Sequence, residues 1–363
     1  MQPDTVLSNT IATNLADANA PAGVVVGCSH CNAEHSQPSG MNHAAAESVC
    51  TASCRVRRGD WVTVRSLPEI LATLDADGKC ENMPFMPEMI PFCGQTFRIY
   101  RRADKTCIEN GSFRSLCNTV FLEGLRCNGK SHDGCQRRCL LFWKETWLKP
   151  ADEATIQSIV ANPSQEAAAE HADAANNVEK LPWPTKQGDR YYCQSTELAG
   201  ATHDFPPGRL HHYWNDLQLG ELSWRRFAYI LWLALVNRIV RVFHHREYQQ
   251  LFGEQKQTAD AVLNLQPGEW VEVKSAREIQ ATLDAQGRNR GLLFETEMTR
   301  YCSRRFRVGV PIEKIISETT GRMVLLNNTV TLEGLVCQGI RDMNCPRANY
   351  FYWREVWLKR GEG

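Results

Sequence analysis

The chain has 363 residues, enough for two or three domains of roughly 100 to 150 residues each. Its 41 Lys plus Arg match its 41 Asp plus Glu, so the whole molecule lacks the positive field that nucleic acid or an anionic membrane selects; no nucleic-acid partner is expected, and a membrane surface would need a local basic patch. Fifteen cysteines are many for a protein of a reducing compartment, where disulfides are disfavoured, and they point to metal binding or thiol chemistry.

The opening residues, MQPDTVLSNTIATNLADANAPAG, show no basic stretch followed by an apolar run, so no secretory signal is expected and a cytoplasmic location is. Within residues 1–55, Cys28, Cys31, Cys50 and Cys54 follow the pattern C-x2-C-x18-C-x3-C, close to a zinc knuckle, with His30, His35 and His43 between them. Few large apolar side chains accompany them. A bound metal would have to supply what a core cannot, and the alternative is an unstructured tail with incidental cysteines.

Residues 56–150 read as a small β-module. WVTV alternates as a strand, and Ser66 followed by Glu69 is a capping box that opens a short helix. FRIY, a turn at Asn110-Gly111, NTVFLEGL and an aromatic strand around FWKETWL complete the set, which a partly open SH3-like barrel would close. Trp61, Trp143 and Trp147 are expected in its core, as are Trp270, Trp353 and Trp357 in the core of the later copy. Cys107, Cys127, Cys135 and Cys139 fall in the pattern C-x19-C-x7-C-x3-C, with His132 inside the last loop. Four soft thiolates at strand ends suit Zn2+ or an iron–sulfur cluster. Arg101, Arg102, Lys105 and Arg126 lie around them in sequence; they would lower thiol pKa values or offset a thiolate centre, or simply form a solvated face.

Residues 151–190 are rich in Ala, Glu, Asn and Gln and read as a linker. Residues 191–265 form a helical segment, broken at Pro206-Pro207-Gly208. From Ser223 the positions Phe227, Ile230, Leu231, Leu235, Ile239, Val242 and Phe243 recur at helical spacing, predicting a helix docked on or between the β-modules. The longest apolar run, FAYILWLALV, falls far short of the ~20 residues of a membrane span.

Residues 266–360 repeat the first module. GDWVTVRSLPEILATLDADG matches GEWVEVKSAREIQATLDAQG, EMIPFCG matches EMTRYCS, and NTVFLEGLRCNG…GC matches NTVTLEGLVCQG…NC. Cys93, Cys127 and Cys135 recur as Cys302, Cys337 and Cys345, but Cys107 falls opposite Ile316 and Cys139 opposite Asn349. The metal is therefore expected in the first copy and not, in the same form, in the second. Glu123 and Glu333, present in both, fit a structural role better than acid or base chemistry at one metal.

No P-loop, G-x-G-x-x-G, G-x-S-x-G, radical-type C-x3-C-x2-C or Rieske pattern occurs. The blocks EILATLDADG, PFMPEM…FCG, GCQRRCLLFWKETWLK, YYCQSTELAGAT and CPRANYFYWREVWLK resemble those of an uncharacterised bacterial family of Cys-rich proteins with duplicated SH3-like modules. The likeness covers most of residues 56–360, and implies accessory proteins of biosynthetic gene clusters without supplying an activity. The expected fold is α+β: two homologous SH3-like barrels, a helical segment between them and a Cys/His-rich N-terminal segment. The expected function is a cysteine-ligated metalloprotein, with an iron–sulfur cluster or Zn2+, serving a redox or catalytic step in small-molecule biosynthesis. Two alternatives stand beside it: a zinc-stabilised, non-catalytic module that binds a protein or carrier-bound intermediate, and a thiol- or sulfur-transfer protein acting through a cysteine such as Cys93.

Overall fold

A computed structural model describes residues 56–109, 111–161, 181–205, 209–244 and 247–361 of the chain; Cys28, Cys31, Cys50 and Cys54 lie outside them. The first repeat contains β1 (Trp61–Val64), α1 (Leu67–Leu71), β2 (Thr96–Arg102), β3 (Lys105–Cys107), β4 (Phe113–Ser115), β5 (Thr119–Arg126), β6 (Leu140–Lys144) and β7 (Leu148–Pro150). Between the repeats run α2 (Glu153–Ala161), α3 (Arg209–Gln218) and α4 (Trp224–His244). The second repeat contains β8 (Trp270–Val273), α5 (Ala276–Gln280), β9 (Arg305–Pro311), β10 (Lys314–Ile316), β11 (Met323–Leu325), β12 (Thr329–Leu332), β13 (Trp353–Arg354) and β14 (Leu358–Arg360). The fold is thus mixed helix and strand, with antiparallel pairing throughout the two main sheets.

The two repeats build the same sheet, in the orders β6-β5-β2-β1-β7 and β13-β12-β9-β8-β14. Register is equivalent as well: Val62 pairs with Phe97 and Val271 with Phe306, and each long second strand carries its irregularity at the same place, after Ile99 or Val308. Both capping boxes form, with the Ser66 and Ser275 amides each donating to the glutamate three residues on at 2.9 Å. Matched side chains fill the two cores: Val62, Ile70, Phe85, Trp143 and Trp147 in one, Val271, Ile279, Phe294, Trp353 and Trp357 in the other. In each, the second tryptophan donates its indole N–H to a threonine, Thr73 or Thr282, at 3.0 Å.

Trp61 and Trp270 depart from the expectation of burial. Because β1 and β8 alternate with period 2, Val62 and Val64, or Val271 and Val273, take the core face. The tryptophans take the other face: Trp61 is half-buried and Trp270 is exposed, with the Arg307 guanidinium over its ring. The helix α4 departs further. Ile230 and Leu233 are buried, but Leu231, Leu235, Ile239, Val242 and Phe243 are exposed, so only a narrow stripe of the predicted apolar face is docked.

The repeats meet through reciprocal contacts. The Ile316 amide donates to the Cys135 sulfur at 3.3 Å, and the Cys107 amide donates to the Cys345 sulfur at 3.4 Å. Arg137 donates to the Ile316 carbonyl at 3.0 Å, and Arg347 to the Cys107 carbonyl at 2.9 Å. Cys135 and Cys345, Arg137 and Arg347, and Ile316 and Cys107 are equivalent positions in the duplication. Residue i of one copy meeting j of the other, and j meeting i, is the signature of a two-fold interface, here built within one chain. Glu318 sits at its centre, 3.2 Å from Arg137 and paired with Arg347.

Candidate metal centre

The first repeat's cysteine loop begins where β5 ends. The Cys127 amide donates to the Cys139 carbonyl at 2.8 Å, which closes residues 127–139 into a loop against β6. Gly129 makes this closure possible: at φ 71°, a Cβ there would lie 2.0 Å from the Cys135 carbonyl oxygen. The second repeat closes equivalently, from Cys337 to Asn349 at 2.8 Å. Sequence thus fixes the frame in both copies, and the side chains on it differ.

Cys127, Cys135 and Cys139 line one pocket, together with His132 and Ile316. The fourth sulfur is Cys193, from the segment between the repeats, rather than Cys107. Gln194 holds that segment in place as a strand would: it donates to the Phe142 carbonyl and accepts from the Phe142 amide, both at 2.8 Å. Ser195 then donates to the Cys139 sulfur at 3.3 Å. Cys107 sits at the end of β3, against the second repeat, with its sulfur 3.4 Å from that of Cys345.

Two of the pocket-lining residues, Cys127 and His132, also cluster with Glu88: donor atoms of the three all lie within 4.8 Å of one another. Glu88 and His132 are buried. One carboxylate oxygen, Glu88 Oε1, accepts from the Ser131 amide at 3.1 Å and lies 2.9 Å from His132 Nδ1. The other, Oε2, is buried with no hydrogen-bond partner among the described residues. His132 Nε2 lies 3.2 Å from the Tyr192 carbonyl. A ring N–H fixed on a backbone carbonyl sets the tautomer and leaves the opposite nitrogen available to a metal, the usual arrangement behind a histidine ligand.

The electrostatics follow from burial. Desolvation opposes the Glu88 charge, but the His132 hydrogen bond and charge outweigh it and hold the carboxyl below its ordinary value. Burial, and then Glu88 and the neighbouring thiols, push Cys127 well up; burial likewise raises Cys135, and raises Cys193 to about 12. Burial also pushes Cys93 up to about 11, the reverse of an activated thiol. Of the basic residues near this set in sequence, Arg101 pairs with Glu221 at 3.1 Å, Lys105 with Asp216 at 2.6 Å and Arg102 with Asp104 and Glu145, whereas Arg126 donates to the Arg138 and Ala348 carbonyls and interacts electrostatically with Cys139. Glu123 and Glu333 are exposed and line no part of the pocket.

The second repeat carries Glu297, Cys337 and Asp342 where the first has Glu88, Cys127 and His132. Cys337 donates to Glu297 at 3.4 Å and lies 4.0 Å from Asp342. Burial raises both carboxyls there, and neither an imidazole nor a counterpart of Cys193 completes the set. Glu88 was legible in the duplicated EMIPFCG and EMTRYCS blocks, as the acid shared by both. Cys193, outside the repeat, had no such pointer.

No protein-family model, curated protein or solved structure matches the chain.

Proposed function

We propose that the protein is a cysteine-ligated metalloprotein whose centre lies in the first repeat, with Glu88, Cys127 and His132 at its core and Cys135, Cys139 and Cys193 as the thiols able to complete it. The observation that carries this reading is the convergence of donor atoms of Glu88, Cys127 and His132 within 4.8 Å of one another, on a buried carboxylate whose second oxygen has no hydrogen-bond partner among the described residues. An orphaned buried oxygen is costly, and a cation beside it removes the cost. The mixed O, N and S set fits Zn2+, and the additional thiols admit an iron–sulfur cluster. When bound, such a centre supplies Lewis acidity or electron transfer. The chain's own residues orient the imidazole through Tyr192, hold the thiols through Gln194 and Ser195, and limit solvent access by burial. The paired sheets we read as SH3-like barrels, a frame that fixes the ligand loop. A role in small-molecule biosynthesis rests on the family resemblance alone.

Anaerobic purification of the full chain, followed by elemental analysis and a visible spectrum, tests the reading. About one equivalent of zinc without colour, or iron with equimolar sulfide and charge-transfer absorption, supports it and identifies the metal. A chain that is metal-free after purification and takes up neither zinc nor a reconstituted cluster contradicts it.

A further inference from the structure

The contact between Cys107 and Cys345 is left unused by the metal centre. Their sulfurs lie 3.4 Å apart, one from each repeat, and the residues are 238 positions apart in sequence. At the reciprocal contact of the same interface, Cys135 meets the apolar Ile316. The interface thus sets a cysteine opposite a cysteine on one arm and an isoleucine opposite a cysteine on the other, with the backbone amide donating to the facing sulfur in both. Nothing in the packing of the repeats needs a second sulfur there, since the equivalent position accepts isoleucine.

We propose that Cys107 and Cys345 are a redox pair that a hydroperoxide converts to a disulfide, covalently joining the two repeats. Cys345 is the attacking sulfur, because it accepts the Cys107 amide hydrogen bond that favours a thiolate. It attacks the outer peroxide oxygen and the O–O bond breaks. The leaving alkoxide takes up the proton that the thiol has lost, and Cys345 becomes a sulfenic acid. The Cys107 sulfur then attacks that sulfur; an S–S bond forms, the S–OH bond breaks, and hydroxide leaves with the Cys107 proton as water. Two thiols lose two electrons and two protons, and the hydroperoxide is reduced to an alcohol and water. A dithiol reductant reverses the bond by exchange. Cys345 is buried, but Cys107 beside it is only partly so, and hydrogen peroxide is small enough to reach the attacking sulfur past Cys107.

The switch would be felt at the pocket. Arg347 donates to the Cys107 carbonyl at 2.9 Å and to the Ser195 hydroxyl at 3.3 Å, and Ser195 in turn contacts Cys139. The dithiol does not depend on the metal reading, and its test reads covalent linkage rather than metal.

The full chain is treated with hydrogen peroxide, the remaining thiols are alkylated, and the protein is digested without reduction for mass spectrometry. The expected result is a peptide containing Cys107 linked to one containing Cys345, with two fewer alkylatable thiols, reversed by dithiothreitol. The oxidised protein should melt several degrees higher, because closing so long a loop restricts the unfolded chain. Cys107→Ile, which installs the residue that the second repeat carries at this position, should fold and lose both the linked peptide and the shift. The proposal is overturned if Cys107 and Cys345 remain alkylatable after peroxide, if either links to another cysteine, or if both become alkylatable only after a chelator is added, which would make them ligands of a shared metal.

Discussion

Glu88 gives one oxygen to Ser131 and His132, and its other oxygen has no hydrogen-bond partner among the described residues; the proposed centre would put a cation beside it. Gln194 is the residue that brings Cys193 to the same pocket. Gln194→Ala should leave the buried Phe142 amide and carbonyl unpaired, at about 1–3 kcal/mol in denaturant unfolding, and should lower metal content with no ligand removed. Glu88 and Glu318 are both held below the ordinary carboxyl value of 4.5, the second because Arg347 and Arg137 together outweigh its desolvation. A depressed folded pKa gives stability that is fully present above the unfolded value and is lost as pH falls through the folded one. The melting temperature should therefore fall below about pH 4.5, and Glu318→Gln should flatten that fall; a fall unchanged in the variant would contradict the assignment. At this scale the sequence grouped Cys127, Cys135 and Cys139 in one local loop, and all three line one pocket. Cys193 was not singled out and Cys107 was grouped with the other three, because the neighbours of both are set by long-range packing, which spacing does not encode.

The elements were more legible than the side chains on them. Capping boxes, strand alternation and the left-handed glycines are local, and each appears in both repeats where its residues predict it. Gly129 and Gly111 separate two kinds of glycine. Both have positive φ, but a Cβ at Gly111 meets nothing within 4 Å, whereas at Gly129 it would strike the Cys135 backbone. Gly111→Ala should cost only about 1 kcal/mol of conformational strain, while Gly129→Ala should open the loop and lose metal as well; thermal melts and elemental analysis of the two variants distinguish the cases. Thr73→Val and Thr282→Val each strand a buried indole N–H, and similar losses of about 1–3 kcal/mol from both would show that the two cores are energetically alike. Trp61, Trp270 and α4 were over-read as core because hydrophobicity gives amount and period, but not which face the partner covers.

Taken whole, the described chain is a duplicated frame whose copies clasp each other through equivalent residues and differ in chemistry. That explains the uneven cysteines: β3 ends against the other repeat, so Cys107 serves the second copy's side of the interface, and the middle segment supplies Cys193 to the first. Arg347→Leu would leave the buried Glu318 with Arg137 as its main countercharge and should cost about 3–5 kcal/mol, measured by denaturant unfolding, since breaking a buried pair strands the other charge. The asymmetry itself is tested most directly by metal content in two equivalent substitutions, Cys127→Ser in the first repeat and Cys337→Ser in the second, purified anaerobically beside the unaltered chain. The account predicts that Cys127→Ser loses the metal while Cys337→Ser retains it at the unaltered stoichiometry; equal loss from both, or loss only from Cys337→Ser, would contradict it.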